Sequence, residues 1–389
     1  MKTLGIYVQV PICQTKCTYC NFHTGVVSAA RFAPYVDAVC REIREYREFY
    51  AGAGIDLPGG FTELVVDTVY FGGGTPSLLE PAGIQKILDT IREVFPSALG
   101  EVTLEADPET IEPDKAAAWV YAGINRVSFG LQSFSDKELA ASGRMHRRGD
   151  IYRAMPILRD AEIHNVSFDL IAGLPHQTRE SWSRSVQELL NISPEHVSIY
   201  MLEIDEGSRL GAELLGGGHR YSAKAVPAED EMAGFYESAQ AALHGAGYHH
   251  YEISNWGKPG LESRHNLKYW RREPYLGFGA GAHSFSGAER WANAHDSAAY
   301  VNAIAAGRLP VEQHEAVSSS SALEEELFLG MRQLRGVDVK RLEHNYGVAV
   351  APRFAPLTSA GLVEWNGDIV RLAPARLSVS NEVFVELLR

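Results

Sequence analysis

Only four cysteines occur in the 389 residues, too few and too unevenly placed for a disulfide scaffold. Their scarcity points to a reducing compartment, read here as the cytoplasm. Missing too is any apolar run long enough to span a bilayer. The stretch Met1–Val10 is too short and too polar for a signal sequence, and it is expected to form a buried first strand. Basic charge is in deficit: 36 Lys and Arg against 49 Asp and Glu leave a net charge of −13, which excludes a nucleic-acid footprint at the level of the whole chain. No internal repeat is visible. The remaining balance, 45% hydrophobic and 22% charged, is that of a soluble globular protein, and the length calls for one large domain with smaller ones attached.

Three of the four cysteines, Cys13, Cys17 and Cys20, fall within eight residues. Thiolates at such short spacings hold a soft metal ion or an iron–sulfur cluster. A structural zinc site closes with four ligands, and no fourth cysteine is near. Cys40, inside a helical pattern from Arg31 to Tyr50, reads as a packed thiol. Three thiolates on a four-iron cube leave one iron open to a ligand, which suits a substrate-binding cluster better than a closed electron carrier. On spacing alone, zinc and a chance grouping of free thiols remain competing readings.

Through the first half, short β-branched or aromatic runs alternate with amphipathic patterns of period 3.6. The strands expected are Leu4–Val10, Asp67–Phe71, Glu101–Glu105, Arg126–Gly130, Ser167–Ile171 and His196–Tyr200. Helices are expected over Ile84–Val94, Lys115–Ala122, Ile151–Ala161 and Trp182–Leu190. Such alternation implies right-handed βαβ units and a parallel sheet, here an α/β part-barrel of six units rather than eight. Residues 206–316 read as an extension of that barrel, with Gly216–Gly218 and Ser222–Ala228 as a mobile surface loop, a helix over Glu229–Gly245 and an aromatic, histidine-rich segment from His249 to Trp291. Residues 317–389 read as a mainly helical, winged-helix-like domain. Its helices are expected over Leu323–Leu334, Val339–Tyr346 and Pro352–Ala360, closed by a hairpin with Asn-Gly at the turn. The acidic balance favours packing or partner docking over DNA contact for that module.

Residues able to bind a ligand recur at the expected strand ends, where parallel barrels place their sites. Phe71-Gly-Gly-Gly-Thr-Pro-Ser77 allows positive φ and close backbone approach. Glu105 and Gln132 can accept hydrogen bonds from ribose hydroxyls. Arg144 offers a planar fork for a carboxylate. Asp169 ends the fifth expected strand. Taken singly, each of these four is more simply a cap or a salt-bridge partner.

The set Cys-x3-Cys-x2-Cys, Gly-Gly-Gly-Thr-Pro, Glu-Ala-Asp-Pro, Gly-Leu-Gln-Ser, Gly-Arg-x-His and Asp-Leu-Ile-x-Gly-Leu-Pro is similar to that of the radical S-adenosylmethionine (SAM) superfamily. Within it, the chain resembles the subgroup of oxygen-independent coproporphyrinogen III oxidases and their relatives over nearly its whole length. The resemblance implies a [4Fe–4S] cluster on Cys13, Cys17 and Cys20. It places Gly73, Gly74 and Thr75 at the SAM amino group and Arg144 at its carboxylate. Glu105, Gln132 and Asp169 then meet the ribose or line the barrel mouth, and Tyr7 and Phe22 join the cofactor contacts.

Two departures separate the chain from the oxidases. They carry a further cysteine where this chain has Phe22, and a long arm before the cluster loop, whereas the first cysteine here is already residue 13. Instead His265-Asn-Leu-Lys-Tyr-Trp270 matches a motif of the haem-chaperone branch. On that resemblance His265 is the expected haem contact, with Trp270 as stacking surface and His249, His250 and His283 as weaker candidates; simple packing of His265 and Trp270 is the competing reading. The implied function is haem binding and delivery to haem proteins such as respiratory enzymes. The alternative is a radical SAM enzyme acting on a porphyrin, as an oxidase, methyltransferase or haem-degrading relative. The implied partners are SAM, haem or a porphyrin, and haem-acceptor proteins. A homodimer and peripheral membrane contact are left open.

Overall fold

In this computed structural model, residues 3–57, 61 and 64–387 are described. Six strands, β1 (Thr3–Val10), β2 (Val65–Gly73), β3 (Ser97–Ala106), β4 (Arg126–Gln132), β5 (Asn165–Ala172) and β6 (His196–Met201), run parallel in sequence order. Each contains the strand expected from sequence. Leu4, Ile6, Val8 and Val10 of β1 join the core under the helices, while Gly5, Tyr7 and Gln9 face the barrel lumen. Helices cover the outer face. That over Pro81–Val94 starts on proline at its first turn and buries Ile84, Ile87, Leu88 and Ile91, one stripe of a 3.6-residue period. Burying each of these aliphatic side chains contributes roughly 2 kcal/mol.

The lumen side differs sharply. Thr68, Thr103, Arg126, Ser128, Ser167, His196 and Ser198 are all buried there, so the barrel interior is polar: Thr68 bonds His265 and Ser167 bonds His196, while the Thr103 hydroxyl and two Arg126 nitrogens have no partner. Its base is stopped by the helix Arg264–Trp270, whose first N–H groups, those of Arg264 and His265, each donate to the Glu101 carboxylate at 2.9 Å.

The segment between residues 206 and 316 lengthens the sheet at both edges. On one side β8 (Asn255–Gly257) pairs antiparallel with β6, and β7 (His249–Glu252) pairs antiparallel with β8 at the edge. On the other, β9 (Tyr275–Phe278) lies parallel to β1 and is followed by β10 (His283–Phe285), β11 (Glu289–Asn293) and β12 (Val311–Ala316). The sheet ends on β12 and β7 and does not close.

Three local expectations change. The pattern Arg31–Tyr50 is two helices, Phe32–Arg44 and Tyr46–Gly52, broken at Glu45. The break carries the Tyr46 and Tyr50 rings onto Phe95 and Trp291. The expected loop Ser222–Ala228 includes the end of a 3-10 turn, Arg220–Ala225, with Ala223 buried against a small cluster of Leu174, Leu202, Leu210 and Met232. In the tail, the helix expected over Pro352–Ala360 is a 3-10 turn, Ala351–Phe354, followed by the short helix Ala355–Ser359. The tail hairpin pairs Val363–Asn366 with Ile369–Leu372 about Gly367, at φ 62°. A two-residue strand, Val337–Asp338, and a last helix, Ser380–Leu387, complete the tail.

Candidate functional site at the barrel mouth

The carboxyl ends of the parallel strands surround one cavity of about 360 Å³. Cys13, Cys17, Cys20, Phe22, Gly73, Gly74, Thr75, Glu105, Gln132, Arg144 and Asp169 all line it. Of the residues nominated from sequence as principal contacts, Tyr7 and His265 are not on its wall.

The cysteine loop leaves β1 at Val10 and is clipped at its base. There the Gly25 N–H donates to the Pro11 carbonyl and the Cys13 N–H to the Gly25 carbonyl, both at 3.0 Å. Farther along, the Thr18 N–H donates to the Ser142 carbonyl at 3.0 Å and the Leu210 N–H to the Thr18 carbonyl at 2.8 Å. Cys17 is buried and Cys13 and Cys20 are half-buried. Burial pushes the Cys13 and Cys20 thiols above their ordinary range. Hydrogen bonds with Thr24 and Thr75 oppose this at Cys13, and for Cys20 a hydrogen bond with the Phe22 backbone and the charges of Lys16 and Arg144 do so. Among the described residues no three Cys, His, Asp or Glu side chains converge as the ligands of one ion do. The separate irons of one cluster require no such convergence.

The glycine segment is stitched to this loop. The Gly74 N–H donates to the Val10 carbonyl at 2.9 Å and the Thr75 N–H to the Ile12 carbonyl at 2.7 Å. A Cβ on Gly74 would collide with the Ile12 backbone, and Gly73 holds φ at 104°. The Gly73 N–H donates to Glu105 at 3.0 Å, and Glu105 also accepts from the Tyr70 hydroxyl at 2.9 Å. Burial, with the charges of Asp169 and Asp107, pushes the Glu105 carboxyl up to about 7. Burial likewise raises Asp169 to about 6, against hydrogen bonds from Ser198 and Ser128 and the charges of Arg126 and Arg144. Gln132 ends β4 after a bulge and stands at φ 67°, a backbone state rare outside glycine that clusters at ligand sites.

Arg144 is tied into the wall by an ion pair with Asp107, by donation to the Gly130 carbonyl at 2.7 Å, and by a contact from Nη1 to the Cys17 sulfur at 3.5 Å. Its Nε is buried without a partner. Sequence reasoning passed over Asp107, which also accepts from the Thr75 hydroxyl at 3.2 Å. Its place two residues after Glu105, just past the strand end, was the available signal.

Tyr7 and His265 lie lower in the lumen. The Tyr70 ring stacks on His265 with centroids 5.3 Å apart, and Tyr7 stacks on Tyr70 at 5.9 Å. His265 is 1% exposed. One ring nitrogen meets the Thr68 hydroxyl and the other the Tyr269 hydroxyl, each at 2.9 Å. No ring lone pair is left for an iron, so the haem-ligand expectation for His265 gives way to a packing role at the barrel base. Trp270 belongs to the same plug: Arg332 of the tail helix Ser319–Arg332 lies over its ring at 4.6 Å. Of the weaker candidates, His250 stacks on Trp256 at 4.0 Å, His249 pairs with Glu262 at 2.8 Å, and His283 is exposed on β10.

An open parallel barrel with a three-thiol loop and a glycine-rich segment facing one mouth is the architecture of a radical SAM protein. The profile of the radical SAM superfamily matches residues 7–189, and that of the HemN C-terminal domain matches residues 317–375. The haem chaperone HemW of Bacillus subtilis is 33% identical over 97% of this chain and 97% of its own. HemW of Synechocystis is 36% identical over 92% and 85%, and that of Escherichia coli 33% identical over 73% and 70%. The solved Escherichia coli coproporphyrinogen III oxidase HemN, a radical SAM enzyme, superposes with a TM-score of 0.82 at 20% identity, covering all of this chain and 89% of that one. The chain belongs to the radical SAM superfamily and, within it, to the HemW family. No described helix is long and apolar enough to cross a membrane.

Proposed function

We propose that this protein is a haem chaperone of the cytoplasm that holds a [4Fe–4S] cluster and SAM at the barrel mouth and passes haem to haem proteins such as respiratory enzymes. The observation that carries the cofactor part is one cavity walled by three thiols, a glycine cradle and two half-buried carboxylates. The donor set fits. The three sulfurs are soft ligands, burial disfavours Cys13 and Cys20 as free thiolates, and a bound cationic cluster would remove that penalty. When bound, the cluster supplies a one-electron couple and an iron with an open position.

This chain's residues would do the rest. Cys13, Cys17 and Cys20 hold the cluster. Gly73, Gly74 and Thr75 bring backbone close to the SAM amino group, and Arg144 offers its unpartnered Nε to the carboxylate. Glu105, Gln132 and Asp169 take the ribose hydroxyls, with Tyr7 and Tyr70 packed beneath. At the mouth Phe22 is 63% exposed, where a thiol would stand in the oxidases.

The test is anaerobic incubation of reconstituted protein with haem and a haem-free acceptor protein, and separately with coproporphyrinogen III, SAM and a reductant. Haem uptake and transfer, with the porphyrinogen unchanged, supports the chaperone. Stoichiometric 5′-deoxyadenosine with loss of propionate carboxyls would replace it with an oxidative decarboxylase.

A further inference from the structure

We propose that His146 is a positioning residue for the barrel mouth: its ring clamps the ends of β3 and β4 around Arg144 and Gln132, and one proton shared with Glu109 closes the clamp. The role rests on the reading of the mouth as a SAM site and adds the device that sets two of its walls.

Arg144 lines the mouth, and His146, two residues on, lies behind the wall and is wholly buried. Its Nε2 is 3.1 Å from the Leu131 carbonyl. A carbonyl only accepts, so Nε2 carries the hydrogen and the tautomer is fixed. Leu131 stands between Gly130, whose carbonyl accepts from Arg144, and Gln132 at φ 67°. The ring therefore pins the bulged end of β4 that presents both.

The other side of the ring meets the turn after β3. Nδ1 is 3.7 Å from Glu109 Oε2, and both atoms are buried with no hydrogen-bond partner. Glu109 belongs to the 3-10 turn Pro108–Thr110, which begins directly after Asp107, the ion-pair partner of Arg144. One imidazole thus joins the two segments that hold Arg144.

Without a proton between them, a lone pair faces a carboxylate in a buried place, which is unfavourable. With one proton a donor faces an acceptor, and the gap can close to a hydrogen bond. Burial pushes His146 down to about 4, aided by the Arg144 charge and opposed by those of Asp107 and Asp150. Burial, with the charges of Asp107 and Asp150, pushes Glu109 up to about 7 against that of Arg144. Arg153 also faces this turn, donating to the Ile111 carbonyl at 2.8 Å and pairing with Asp150 at 3.4 Å. The shared proton therefore sits on Glu109 and leaves as pH rises through about 7.

The experiment is equilibrium dialysis of SAM against full-length reconstituted protein, with iron analysis and thermal melts alongside. His146→Leu fills the space without either bond. It should load iron and bind SAM roughly tenfold more weakly. His146→Gln, whose amide can donate to Leu131 and accept from Glu109, should recover most of that loss. Wild-type affinity in His146→Leu, or equal losses in the two variants, overturns the clamp. Glu109→Gln keeps a donor toward Nδ1 at every pH. The ratio of its SAM affinity to that of wild type should rise severalfold between about pH 6.5 and about pH 8.5, because Glu105 and Asp169 titrate in both proteins and cancel. A flat ratio overturns the shared proton, and it alone decides the proposal if the histidine variants do not fold. Wild-type protein that binds no SAM overturns the reading of the mouth, and this role with it.

Discussion

Replacing His265 with alanine tests whether the histidine of the His-Asn-x-x-Tyr-Trp segment packs the barrel or binds iron. The ring fills space at the lumen base, stacks on Tyr70 and bonds both Thr68 and Tyr269. Removing it leaves two buried hydroxyls unpaired and a cavity under Tyr70, at a cost of about 4 kcal/mol. With an unfolding entropy of about 2.1 cal/mol/K per residue, that lowers the melting temperature by about 5 °C near neutral pH. A second signature comes from titration. Burial, aided by the charges of Lys268 and Arg126, pushes His265 down to about 3. Between the unfolded value of about 6.5 and that folded value, the unfolded chain carries the proton and the folded chain does not, so stability falls as pH drops. His265 alone costs the wild type about 2 kcal/mol by about pH 5. The alanine variant lacks this loss, so its melting deficit should roughly halve between neutral pH and about pH 5. Circular-dichroism melts at the two pH values measure it, with haem affinity read in parallel. A variant that melts like wild type at both pH values but no longer binds haem would refute the packing assignment.

Cys17→Ser should abolish the cluster absorbance after anaerobic reconstitution; an unchanged spectrum and iron content would remove Cys17 from the ligand set. Gly74→Ala drives a methyl into the Ile12 backbone, so it should cost about 1–3 kcal/mol and reduce iron incorporation although no thiol is touched; full iron loading would show that the two loops are not rigidly joined. Arg144→Ala should weaken SAM binding while the protein still takes up a cluster, as seen by equilibrium dialysis with iron analysis; equal SAM affinity would count against its role. SAM affinity should also fall as pH drops from about 8 to about 6, because Glu105, at about 7, and then Asp169, at about 6, lose the charge that accepts ribose hydroxyls. Glu105→Gln should bind SAM more weakly with a flatter pH profile, and a wild-type profile in that variant would place the ribose elsewhere.

The parallel core was legible because each strand couples a buried apolar run to a clear helical stripe. Arg126–Gly130, for example, lies within the observed Arg126–Gln132. Short elements were not: β8 and β10 have three residues each, and β9 is set by pairing with β1 far back in the chain rather than by its own pattern. The break at Glu45 carries no glycine or proline to announce it. At the mouth, the cysteines and glycines declared themselves by spacing. Asp107, one acid of a run with Glu105 and Glu109, was passed over in the sequence and proved to be the partner of Arg144. His265 shows the opposite failure, since sequence gives residue type and spacing but not whether both ring nitrogens are already bonded. The pair His23–His295 was invisible for a plainer reason: only the fold brings residues that distant into a stack.

A resident cofactor needs side chains held in one geometry. At the mouth these come from strand ends and the loops beside them and are bonded to one another: Glu105 spans Gly73 and Tyr70, and Arg144 spans Asp107, Gly130 and Cys17. Because Tyr70 in turn stacks on His265, this order runs down the lumen to the plug and through Trp270 to the tail. Disturbing the plug therefore loosens the wall of the mouth from below, through Tyr70 and Glu105.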